Sequence, residues 1–91
     1  MIKNEDVKSI AIKFLDANNI KYSTEGERIF NREKADIDYG KHEGTIKSIY
    51  VYSFGQLWGT VERSMFLYID AENGDVLYIL GPHGPVYIVE E

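Results

Sequence analysis

The 91-residue chain has no cysteine, two prolines, one tryptophan and two histidines. Without cysteine there is neither a disulfide framework nor a thiolate metal site, which fits a reducing compartment. Long apolar runs are missing as well. No segment approaches the roughly 18 residues of a membrane span, and no basic start leads into an apolar stretch. A cytoplasmic protein without membrane contact is therefore expected. Positive charge is scarce, and unevenly so. The formal net charge is −5; residues 1–45 hold nine acids and eight bases, whereas residues 46–91 hold six acids against Lys47 and Arg63. Such a second half repels phosphate and offers no basic stripe to release counterions, so nucleic acid is not the expected partner. A basic protein is the better electrostatic match.

What remains is an ordinary globular composition, 44% hydrophobic and 27% charged, in a length that makes a single domain over residues 1–91. Asn4 followed by Glu5 and Asp6 reads as a helix start, with a capping side chain and then negative charge at the positive end of the dipole. Val7, Ile10, Ala11, Phe14 and Leu15 recur at helical spacing and form one apolar stripe. Asn18-Asn19 is a stop signal, because asparagine tolerates the left-handed conformation.

From Ile20 to Gly44 the pattern is weak. Ile20 and Tyr22 suggest a short strand, Arg28-Ile29-Phe30 another, and the polar stretch Asn31–Gly44 fits a long loop, an edge strand or a second short helix. From Ile46 onward strands dominate: Ile46–Phe54, Ser64–Asp70, Asp75–Leu80 and Pro85–Val89, with Gly55 and Gly59 interrupting around Leu57-Trp58. Ala71-Glu72-Asn73-Gly74 is a hairpin turn in which Gly74 supplies a positive φ. The fold expected is α+β, an N-terminal amphipathic helix packed on a curved, mostly antiparallel sheet of four to five strands.

Register decides which side chains share a face. A type I turn followed by a glycine bulge at Asn73-Gly74 pairs Leu67 with Ile79 and Ile69 with Leu77. It gathers Ile49, Val51, Leu67, Ile69, Leu77, Ile79, Val86 and Ile88 on one aliphatic face, the one expected to meet the helix. A two-residue turn is the rival and exchanges the faces of the last two strands. In the bulged register the opposite face holds Tyr50, Tyr52, Phe54, Phe66, Tyr68, Val76, Tyr78, Leu80 and Tyr87.

Catalytic and metal-binding patterns are absent. Asp70-Ala-Glu72-Asn-Gly74-Asp75 has its glycine one position early for a calcium loop and Gly81 where the last ligand belongs. Asp36 and Asp38 have no third ligand in reach, and His42 and His83 have no partner tied to them by spacing. The five serines include no nucleophile elbow, and Gly55-Gln-Leu-Trp-Gly59 lacks the lysine of a phosphate loop. A non-catalytic protein with no cofactor and no metal is expected.

The aromatic face reads either as a second core layer under segment 23–44 or as a partner-binding surface. In the second reading Tyr50, Tyr52, Trp58, Phe66, Tyr68, Tyr78 and Tyr87 are the contact residues, since tyrosine and tryptophan bury large area while keeping a polar handle. Burial in a homodimer and binding of a small apolar ligand are the alternatives. The segment Phe66-Leu-Tyr-Ile-Asp-Ala-Glu-Asn-Gly-Asp-Val-Leu-Tyr-Ile resembles the strand–turn–strand signature of PepSY-like and cystatin-like domains. The helix-then-sheet plan, size and acidity are also similar to small bacterial toxin-immunity proteins. That resemblance implies a helix across a curved sheet and a protein that neutralises a basic toxin.

Overall fold

The computed structural model describes residues 1–89. The apolar stripe forms helix α1, Asn4–Ala17. Its cap lies one residue earlier than the sequence suggests. Lys3, with φ −110° and ψ 160°, holds the cap position, and Asp6 reaches back so that its Oδ2 accepts the Lys3 N–H at 3.0 Å. A carboxylate in the first turn thus replaces Asn4 as the capping group, and it also sits favourably in the helix dipole. The stop is as expected. Asn19 takes φ +56°, the Asn18 side chain donates to the Phe14 carbonyl at 2.9 Å, and the Ile20 N–H returns to Leu15.

Five strands follow: β1 (Ser23–Asp36), β2 (Ile46–Trp58), β3 (Val61–Asp70), β4 (Val76–Gly81) and β5 (Gly84–Ile88). Each pairs antiparallel with its neighbour in sequence, giving an open sheet in the order β1-β2-β3-β4-β5. Of the segment most open to interpretation, residues 23–36 are one edge strand, residues 37–44 form no strand, and the short strand suggested at Ile20 and Tyr22 does not form. The polar residues of β1 are tolerated because it is largely exposed, and two register shifts, between Ser23 and Arg28 and between Arg32 and Ala35, break its edge.

The break expected around Leu57-Trp58 does not occur. Gly55 and Gln56 stay in the ladder opposite Ser64 and Arg63, and the chain reverses at Gly59-Thr60. Gly59, at φ +67°, is the first central residue of that two-residue turn, a position that favours glycine. The β2–β3 hairpin consequently runs on as an exposed arm.

At the β3–β4 turn Gly74 has φ +82°, and its N–H reaches the Asp70 carbonyl at 2.8 Å. Leu67 pairs with Ile79 as expected, but Ile69 faces Val76 rather than Leu77. The bulge lies in the strand and not in the turn, which sends Val76 to the helix side and Leu77 to the other.

A larger correction concerns β2. Its register sets Tyr52 opposite Leu67 and Val51 opposite Tyr68, so the sheet does not sort aliphatic from aromatic residues. The helix side holds Tyr52, Phe54, Met65, Leu67, Ile69, Val76 and Ile79, clustered with Val7, Ala11 and Leu15. The second side holds Ile49, Val51, Leu77 and Tyr78, with Phe66, Tyr68, Leu80 and Ile88 around them. β5 is also reversed, with Tyr87 opposite Ile79 and Ile88 opposite Tyr78. The two-residue turn at Gly59-Thr60 fixes the β2–β3 pairing.

The second side is half covered. After β1 the chain folds back over it, holding Ile37 by backbone hydrogen bonds of 2.9 Å to Thr45 and from Gly44. Ala35 and Ile37 complete the second cluster, and the Tyr39 ring stands edge-on to Tyr78 at 5.2 Å. Gly40, at φ +86°, passes so close that an added Cβ would lie 2.9 Å from the Val89 carbonyl oxygen. The second-core reading of this face is thus correct for one end of the sheet.

Candidate functional site

The seven aromatic residues singled out from the sequence do not form one surface. Tyr50, Tyr52 and Tyr87 are on the helix side, whereas Phe66, Tyr68 and Tyr78 are on the second side. Trp58, opposite Val61 at the end of the arm, is 37% exposed and donates from Nε1 to Gln56 Oε1 at 2.6 Å.

Two of the tyrosines are core residues. Tyr52 is fully buried, and its hydroxyl donates to Glu27 Oε1 at 2.5 Å while Glu27 Oε2 meets Lys8 Nζ at 2.9 Å. Burial, and then the bond to Glu27, pushes the Tyr52 phenol far above its usual range. The Tyr52 hydroxyl, and then Lys8, hold the Glu27 carboxyl below its own. The trio fastens the irregular start of β1 to α1. Tyr78 is buried beneath Tyr39 and stacked on Tyr68 at 4.5 Å; burial raises its phenol to about 12. Tyr87 packs edge-on against Phe14 at 5.4 Å, with its hydroxyl on Asn18 Oδ1.

The covering segment leaves the other half of the second side open, and there a different group of residues meets. Phe30 on β1 pairs with Val51, which pairs with Tyr68; Arg28 pairs with Ser53, which pairs with Phe66, and Phe66 with Leu80. Phe30 is 45% exposed, and Phe66, Tyr68 and Leu80 are half-buried on β3 and β4 of the same side. Further along the same side, Leu57 at the arm's end is 69% exposed. Of the expected contact residues only Phe66 and Tyr68 belong here. Phe30, Arg28 and Arg32 were missed, although their alternation along one strand was a readable period-two signal.

Charge is distributed differently from the expectation too. Asp70, fully buried, accepts the Glu72 N–H at 2.9 Å on Oδ1, and Lys47 Nζ lies 3.2 Å from Oδ2, an ionic contact rather than a well-formed hydrogen bond. Glu72 shares Lys47, and Asp75 meets Lys41 at 3.7 Å. Half of the acids in residues 46–91 are thus gathered at the β3–β4 turn. Glu90 and Glu91 lie outside the described residues. A polar hollow of about 220 Å³ opens between Glu25, Ser53, Glu62 and Arg63. Among the described residues no three histidine or acidic side chains are grouped to hold a metal ion, and no helix is long and apolar enough to cross a membrane. No family model, curated protein or solved structure matches the chain.

Proposed function

We propose that this chain is a non-catalytic protein-binding module whose contact surface is the open half of the second sheet side. One observation carries the reading: Phe30 stands 45% exposed on the sheet side that also holds half-buried Phe66, Tyr68 and Leu80, a side that the chain covers in part with its own residues. Large aromatic rings left together on a surface are the usual core of a protein contact. Strand-edge pairing fits less well, because β1 is broken by two register shifts and β5 contains Pro85. Neutralisation of a partner protein, which the likeness of the helix-then-sheet plan, size and acidity to toxin-immunity proteins implies, is one way in which occupation of this face would act.

A photo-reactive phenylalanine analogue placed at Phe30 tests the reading in the native cells, with the same group at Lys13, on the exposed side of α1, as control. A protein adduct specific to position 30 is expected. An adduct of two copies of the chain would assign the face to self-association. No adduct at 30, or the same adducts at both positions, would remove the face as a contact surface.

A further inference from the structure

The β1 edge of the second side carries positive charge at a fixed interval. Arg28, Phe30 and Arg32 alternate along β1, and pairing with Ser53, Val51 and Ile49 puts all three on that side. At about 3.3 Å per residue the two arginine Cα atoms are about 13 Å apart, with the Phe30 ring between them. The stretch lies between the two register shifts and is itself regular, so the ladder to β2 holds the interval. Neither guanidinium is ion-paired among the described residues. Four of the chain's acids are engaged by other groups. Glu27 is engaged by Lys8 and Tyr52, and Asp70, Glu72 and Asp75 by Lys47 and Lys41. The acidic groups nearest on this side are Glu25 and Glu62, which line the hollow with Ser53, and Asp70, opposite Ile49 and held by Lys47. Arg28 and Arg32 are paired with none of them, so the β1 edge offers two cationic forks on a chain of net −5.

We propose that the occupant of this face is an extended acidic segment of a partner protein, with carboxylates four residues apart and an apolar side chain midway. The proposal rests on the face being a contact surface and adds the chemistry of the partner. An extended segment has the same repeat as β1, so its carboxylates fall opposite Arg28 and Arg32. Guanidinium forks take carboxylates in two parallel hydrogen bonds, and the middle side chain lands on Phe30. A nucleic acid is the poorer fit, since two arginines on a chain of this net charge make few phosphate contacts. The arrangement also reverses the basic partner expected from overall charge, because binding depends on the charge at the contact rather than on the total.

The test uses the full chain and three fluorescent probes: the peptide Gly-Glu-Val-Leu-Val-Glu-Gly, its counterpart with lysine for both glutamates, and a short oligothymidylate. Anisotropy should show the glutamate peptide bound at least about tenfold more tightly than the lysine peptide, a difference of about 1.4 kcal/mol. Arg28→Gln with Arg32→Gln should remove that preference, and Arg28→Glu with Arg32→Glu should invert it. Phe30→Ala should weaken the glutamate peptide, and Lys13→Glu should not. Circular dichroism melting of each variant separates loss of contact from loss of fold. A lysine peptide bound equally well, an unchanged double variant, a preference for oligothymidylate, or no binding at millimolar concentration would each overturn the proposal. Binding that depends on Phe30 but ignores peptide charge would do so while leaving the face a contact surface. Failure of the position-30 cross-link would remove both.

Discussion

The two sides of the sheet are closed by different means. On one side a regular helix lays Val7, Ala11 and Leu15 onto Leu67, Ile69 and Ile79, and the layer is continuous. On the other an irregular segment covers Ile49, Leu77 and Tyr78 with Ala35, Ile37 and Tyr39 and leaves Phe30 exposed. A helix of fourteen residues spans a sheet in one pass, whereas a loop of this length reaches only part of it. The difference teaches that one side is built for stability, and that the other divides the task between stability and exposure.

The contrast is broken most directly by truncation. Leu15→Ala, at a fully buried position, should cost about 2–5 kcal/mol in denaturant unfolding, while Phe30→Ala should stay within about 0.5 kcal/mol. Equal losses would mean that Phe30 is part of the core. Gly74→Val comes next. A β-branched residue at φ +82°, with its Cβ 3.2 Å from Ile2 and Ile10, should cost more than about 1 kcal/mol and lower the melting temperature.

Gly40→Ala sharpens the comparison by acting on the loop-covered side alone. At φ +86°, against the Val89 carbonyl, it should cost about 1 kcal/mol or more and speed amide exchange at Ile37, while Leu67 stays protected. Equal acceleration at both amides would show that the two sides open together.

The smallest effects are those of pH. The Glu27 carboxyl is lowered on folding, so its contribution is present above its unfolded value and is lost as pH falls through the folded one. Glu27→Gln should therefore flatten the acid limb of the stability profile. The Tyr52 and Tyr78 phenols are raised, so the folded chain keeps protons that the unfolded chain releases above about pH 10. Stability should fall as pH rises from there, and less steeply in Tyr52→Phe.

How far these features were legible depended on whether they were local. The stripe Val7–Leu15, the Asn18-Asn19 stop and Gly74 each carry their conformation in a few adjacent residues, and all three were readable. The faces of β2 were not, because they follow from the Gly59-Thr60 turn, and Leu57-Trp58 beside it suggested a break. Nor was the fold-back of residues 37–45, whose hold on Tyr78 rests on long-range contacts with no periodicity. At the proposed site Phe66 and Tyr68 stood out by composition. Phe30 did not, since it lies in a strand polar enough to pass for a loop.

The position of α1 ahead of the sheet also governs how the domain is made. On the ribosome the helix emerges before the strands, and Leu67, Ile69 and Ile79, which bury its stripe, follow several tens of residues later. At roughly 5–20 residues per second the stripe waits some seconds for its cover. A free helix of this length is marginal in water, so it does not hold its shape alone during the wait. The hairpins, each between neighbours in sequence, are free to close as they emerge, and α1 docks only when β4 completes its floor. Folding of the newborn domain should thus end with α1, which is made ahead of the sheet and settles after it.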